Sequence, residues 1–193
     1  MNVTIIYAHP YEGSYNHSIL ESVAKTLKGK HTIDIIDLYK DGFNPVLSKA
    51  ELAVYSEGKS VDKQVLKYQE KIENTDHLML IFPIWWTETP AIMKGFFDKV
   101  LLKNWAYLSP DGKIPKGLLT HVKGATVIAT MSGPNFYYNL FAGNPLKGSL
   151  VKGTLKFCGI KKVNVIKVPS VTNINDEKRR SWLAKIEKYA GKL

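Results

Sequence analysis

The sequence predicts an α/β fold in which a parallel sheet is covered by helices on both faces. Three observations predict it. β-branched and apolar runs alternate with segments of helical spacing along the whole chain. Two runs, HLMLIFP and ATVIATM, are apolar almost without interruption, the mark of strands buried on both faces. The polar and aromatic residues that could carry chemistry follow directly after such runs, and in open α/β sheets that is where ligands sit.

VTIIYA (3–8) reads as the first buried strand and 16–28 as an amphipathic helix. HTIDIIDLY (31–39) alternates with the period of two expected of a strand. A loop containing DGFNP follows, then a short helical segment near SKAELAVYSEG and a clearer helix over 61–74. HLMLIFP (77–83) is the central strand. In PAIMKGFFDKVLL (90–102), Ile92, Phe96, Phe97, Val100 and Leu101 share one helical face, and Pro90 suits the first turn. YLSPDGKIPKGLL carries a Pro-Asp-Gly turn and reads as an irregular or hairpin excursion. ATVIATM (125–131) is a further buried strand, 146–157 is helical, KKVNVIKVPSV is the last strand and 176–190 the closing helix. Five strands alternating with about five helices form one domain over residues 1–193.

At 193 residues, 45% hydrophobic and 23% charged, the chain has an ordinary globular composition. A single cysteine, Cys158, excludes a disulfide framework and a thiolate metal cluster, which fits a reducing, cytoplasmic setting. The chain reads straight into a strand without a signal peptide, and no stretch is long enough for membrane insertion. The net charge of +10 invites a nucleic-acid reading. The lysines read as dispersed, however, and arginine occurs only at Arg179 and Arg180, so no nucleic-acid partner is expected. There is no Walker phosphate loop, no G-x-G-x-x-G after the first strand and no G-x-S-x-G elbow. The five histidines lack metal-ligand spacing, so no metal is expected; His31 and His77 start strands and read as structural.

After the first strand stand His9, Pro10, Tyr11, Glu12, Gly13, Ser14, Tyr15 and Asn16. Ser14 and Asn16 are both good helix caps, and a helix amino terminus offers free amides and a positive dipole end to an anion. The same residues would also serve as a plain cap and loop. After the third strand, Pro83, Ile84, Trp85, Trp86 and Thr87 follow one another. In extended geometry one of the two tryptophans should face outward, and the amides from Ile84 to Thr87 would be free to grip the edge of a flat heteroaromatic ligand. An aromatic patch at a subunit interface is the other reading. After the fourth strand, Thr130, Ser132 and Gly133 make a small-residue turn that backbone could bring close to a ligand, with tyrosines beyond to wall a pocket.

These three segments together resemble the NAD(P)H:quinone oxidoreductase family of flavodoxin-like proteins, which includes drug-activity-modulator reductases and the ancillary subunits of potassium efflux systems. The AHP…S-Y-N loop, the FP-x-x-W…P-A-I-x-K-G-F-F-D-K-V block and the T-x-x-G turn occur in the family's order across essentially the whole chain. The resemblance implies a three-layer sandwich with strand order 2-1-3-4-5. It also implies a bound flavin, FAD or FMN, with NAD(P)H as hydride donor and a quinone-like small molecule as acceptor. It places His9, Ser14, Tyr15 and Asn16 at the flavin phosphate. Pro83, Ile84, Trp85, Trp86 and Thr87 would lie along the isoalloxazine, and Thr130, Ser132 and Gly133 at its other edge. Tyr138 falls where the family has its active-site tyrosine, so it is the expected catalytic residue, donating a hydrogen bond to the acceptor's oxygen. A homodimer with each pocket completed by its partner is also implied. Two departures stand out: Asn144 occupies the place of the family's histidine, and SGPNFYYNLFAGN is poorer in glycine than the usual turn. An electron carrier of the flavodoxin sort, a regulatory subunit of a membrane transporter and a relative without flavin are the rival readings.

Overall fold

The computed structural model describes residues 1–110 and 112–193. Its centre is a five-stranded parallel sheet in the order β2-β1-β3-β6-β7, the 2-1-3-4-5 order of a flavodoxin-like sandwich. The strands are β1 (Asn2–Tyr7), β2 (Thr32–Asp37), β3 (His77–Pro83), β6 (Gly124–Thr130) and β7 (Val163–Val168). Every residue of β3 and of β6 is buried, as their uninterrupted apolar runs require. A separate two-stranded antiparallel ladder joins β4 (Tyr107–Leu108) to β5 (Lys116–Gly117). It bears out the hairpin reading of that excursion, although Asp111 of the Pro-Asp-Gly turn lies outside the described residues.

Alternation along β1 divides the core into two layers. Val3, Ile5 and Tyr7 face α1 (Tyr15–Leu27) and α6 (Asp176–Ala190). Ile6 and Ala8 face α3 (Lys63–Glu73), α4 (Ala91–Val100) and a π-helix at Leu146–Lys156. Four of the five residues expected on the inner face of α4 are buried, namely Ile92, Phe96, Phe97 and Val100; Leu101 is half-buried. Pro90 stands one position before the helix as its cap, with ψ 148°, rather than in the first turn.

The K-G-F-F-D-K block has a packing explanation. A Cβ on Gly95 would meet Pro45 Cβ at 2.3 Å, so only glycine admits the segment that follows β2. One turn on, Lys99 is buried and its Nζ reaches Glu51 Oε1, Asp62 Oδ2 and the Asn44 carbonyl, each at 2.9 Å. The segment also contains α2 (Lys49–Val54), whose Ser48 and Glu51 form a reciprocal capping box. Lys99 thus ties an irregular excursion to the helix that carries the site's second loop.

Two elements add to what the sequence predicts. A short helix, α5 (Asn135–Leu140), follows the turn after β6 where only a pocket wall was foreseen. The helix expected at 146–157 is present as Leu146–Lys156, and its winding, which spacing left open, is that of a π-helix.

Candidate functional site

The carboxyl ends of β1, β3 and β6 lie side by side, because β3 pairs with both neighbours: Tyr7 stands opposite Ile81, and Pro83 opposite Thr130. Two adjoining cavities open there, of about 180 and 490 Å³, sharing Ile84, Trp85, Met131 and Ser132. The smaller also takes in His9, Ser14, Tyr15, Asn16, Pro83 and Thr130. The larger takes in Trp86, Thr87, Gly133 and Tyr138. Every residue singled out from the sequence therefore lines one cavity or the other. The structure also adds Met131, Pro134, Tyr137 and Val171. Val171 follows the fifth strand, so the rule applied to the other strands would have found it.

At the first loop, Ser14 is the cap of α1, its Oγ accepting the His17 amide at 3.1 Å. The plain capping role is thus real, and it leaves the amides of the first turn, Tyr15 and Asn16, without intrahelical acceptors. Asn16 is buried; its Nδ2 donates to Thr130 Oγ1 at 2.9 Å, while its Oδ1 has no partner among the described residues. The Thr130 hydroxyl is buried and braces Asn16 by accepting that bond, in the lining of the smaller cavity. His9 Nδ1 lies against the Tyr11 backbone, 3.1 Å from its amide and 3.2 Å from its carbonyl, which holds the ring on the loop. Burial lowers the His9 pKa, so the ring is neutral at pH 7. The Tyr15 hydroxyl donates to the Arg179 carbonyl at 2.7 Å, and burial pushes its pKa up to about 12. That bond pins the start of α1 to α6.

The tryptophan segment is not extended. Trp85 and Glu88 exchange both backbone hydrogen bonds at 3.0 Å, and Trp86 and Thr87 between them have φ of 49° and 67°. This is a two-residue turn of the mirror-image type normally built from Asn-Gly. Both tryptophans are exposed as a result, Trp86 almost completely at 98%. A β-branched threonine at positive φ is strained by roughly 1–3 kcal/mol, and such strain gathers at functional sites. The turn also corrects the expected amide donors. The Ile84 amide bonds the Thr130 carbonyl at 2.7 Å and that of Trp85 the Glu88 carbonyl. Of the four amides from Ile84 to Thr87, those of Trp86 and Thr87 have no acceptor among the described residues.

Tyr138 is corrected as well. It is buried, its hydroxyl donating to the Thr87 carbonyl at 2.9 Å and accepting the Leu146 amide at 3.1 Å. Its one proton is committed to the strained turn, so it has none to give an acceptor. Tyr138 is a strut between that turn and the π-helix. The more exposed tyrosine in the larger cavity is Tyr137, stacked on Phe141 at 5.6 Å. Asn144 lies behind the strut, where its Oδ1 accepts from Lys167 at 3.4 Å. Spacing in the sequence could not separate Tyr137 from Tyr138, because a helix places neighbours on different sides.

A family model described as a flavodoxin-like fold matches residues 1–190. The chain belongs to the flavodoxin-like NAD(P)H:quinone oxidoreductase family. It is 30% identical over 183 residues to human ribosyldihydronicotinamide dehydrogenase [quinone], covering 82% of this chain and 77% of that one. It is 28% identical to an NAD(P)H oxidoreductase of Haemophilus influenzae, named as uncharacterized, over 95% of this chain and 91% of the relative. The crystal structure of Smu.1420 from Streptococcus mutans superposes over the whole of both chains with a TM-score of 0.87 at 34% identity. The chain is an enzyme of the oxidoreductase class. No helix among the described residues is long and apolar enough to cross a membrane.

Proposed function

We propose that this chain is a flavin-dependent NAD(P)H oxidoreductase that passes hydride, through flavin held in the two adjoining cavities, to a quinone or similar flat acceptor. The observation that carries the reading is the pairing of opposite chemistries along one cleft. One end presents the free amides and dipole of α1 with the His9 ring beside them, a site for phosphate. The other presents the uncommitted amides of Trp86 and Thr87 beside an aromatic wall, a site for the polar edge of a flat ring. The unpartnered, buried Oδ1 of Asn16, in the lining of the smaller cavity, suits a hydroxyl donor on the connecting chain.

A flavin held there would supply the chemistry for hydride exchange between a reduced nicotinamide and the acceptor. The protein's share is position and electrostatics. Ser14 orders the first turn of α1 so that its amides point at the phosphate. The Trp86 and Thr87 amides favour negative charge at the ring edge, as fixed donors do in an oxyanion hole. Tyr138 holds those amides in place through its bond to the Thr87 carbonyl. The larger cavity gives donor and acceptor one place to occupy in turn. We infer further that a second copy of the chain closes the mouth, where Trp86 and the outer side of α5, with Phe136, Leu140 and Phe141, leave apolar surface exposed.

The visible spectrum of the purified protein tests the reading. Flavin bands bleached anaerobically by NADPH or NADH and restored by a quinone support it. Bands that persist with both donors point to an electron carrier or a regulatory subunit. A colourless protein that takes up neither FMN nor FAD overturns it. Sedimentation velocity tests the dimer.

A further inference from the structure

The positive charge is not dispersed, contrary to the sequence expectation. Residues 112–175 contain nine lysines and no acidic residue, while the rest of the chain has eighteen basic residues against seventeen acidic ones. The excess is therefore almost entirely local, and six of those nine lysines lie on the π-helix, on β7 or on the two residues before β7.

The π-helix does most of the gathering. In an α-helix, with about 3.6 residues per turn, the nine-residue step from Lys147 to Lys156 makes about two and a half turns, so the two would point to opposite sides. With the wider winding of i→i+5 bonding, at roughly 4.4 residues per turn, nine residues make about two whole turns. Lys147, Lys152 and Lys156 then form one exposed stripe. The Leu146, Leu150, Val151 and Leu155 side chains take the buried side.

The neighbouring edge strand, β7, continues the stripe. A crossover helix runs antiparallel to its strand, so the start of the π-helix lies beside Lys167 and its end beside Lys161 and Lys162. Lys167 bears this out: its pKa is lowered by burial first and by the charge of Lys147 second. A lysine on an edge strand guards against strand pairing between molecules. That does not explain three more aligned along a helix, where like charges repel.

We propose that the face formed by the π-helix and β7 docks on an anionic lipid bilayer. A second copy of the chain fits this face poorly, since a two-fold contact would set like charges against each other. Nucleic acid is the weaker fit, because the six lysines include no arginine for bidentate phosphate contacts and line none of the cavities or grooves. Compact ammonium groups that stand outside the grooves suit a diffuse negative surface. A bilayer is also where an apolar quinone partitions, although the proposal stands without that reading.

Co-sedimentation with phosphatidylcholine vesicles, with and without phosphatidylglycerol, tests it. Binding should require phosphatidylglycerol and weaken with added salt. The triple variant Lys147→Gln, Lys152→Gln, Lys156→Gln should lose on the order of a hundredfold in vesicle partitioning, at about fivefold per lysine. A control triple on the opposite sheet face, Lys25→Gln, Lys28→Gln, Lys188→Gln, should bind as the parent does. Unchanged melting temperatures in both triples show that the fold is intact. No binding to either vesicle, or equal loss in both triples, overturns the proposal. Capture of duplex DNA without capture of vesicles overturns it too and assigns the face to nucleic acid.

Discussion

Replacing Tyr138 by phenylalanine separates a strut from a catalytic acid. The substitution keeps the ring and its position under the Lys167 ammonium, 5.0 Å from the ring centre. It removes one oxygen that makes two hydrogen bonds. The Thr87 carbonyl lies on an exposed turn and can turn to water, so its loss costs roughly 0.5–1 kcal/mol. The Leu146 amide belongs to a fully buried residue and has no other acceptor, which adds about 1–3 kcal/mol. Together these come to about 3 kcal/mol, or roughly 6–12 °C in melting temperature for a chain of this size. The strained turn also loses its brace, so flavin retention after dialysis should fall in parallel. Differential scanning calorimetry and the visible absorbance of the dialysed protein measure both. A variant that melts like the parent and keeps its flavin but turns over slowly would refute the argument, since the hydroxyl would then be serving substrate.

Lys99→Met should destabilise by about 3–5 kcal/mol, because it leaves Glu51 and Asp62 partly buried without their cation; denaturant titration reads this directly. The same cluster sets an acid limit. Burial raises the Glu51 and Asp62 pKa values, but hydrogen bonds from Ser48 to Glu51, from the Gln64 amide to Asp62 and from Lys99 to both outweigh it, and both end below the usual range. A depressed folded pKa stabilises above the unfolded value, so stability should hold above about pH 4–5 and fall as pH drops through the folded values. Lys99→Met should flatten that acid limb. Thr87→Gly should raise stability by about 1 kcal/mol in thermal melts, since glycine takes φ near +67° without strain. Ser14→Ala should cost about 1 kcal/mol through the lost cap and raise the FMN dissociation constant in fluorescence titration.

The layers, the two fully buried strands and the three post-strand segments were legible in the sequence because each rests on local periodicity. An apolar run with no polar face has to be covered on both sides, and an amphipathic helix has to cover it. From that arrangement follow the ends of β1, β3 and β6 and the gathering of His9, Asn16, Trp85 and Ser132 in one cleft. Tertiary structure decided which atoms are available there. Ile84 gives its amide to Thr130 because β3 and β6 pair to their last residues. Trp86 and Thr87 adopt left-handed conformations that no propensity favours, held by Glu88 on one side and Tyr138 on the other. Tyr138 reads like Tyr137 in the sequence, and only the packing of α5 on the π-helix buries one and leaves the other at the pocket. Winding decided the lysines in the same way, since spacings of five and four scatter on an α-helix and align on a π-helix. Periodicity reports which face is buried; hydrogen-bond partners far apart in sequence decide which groups are left to act.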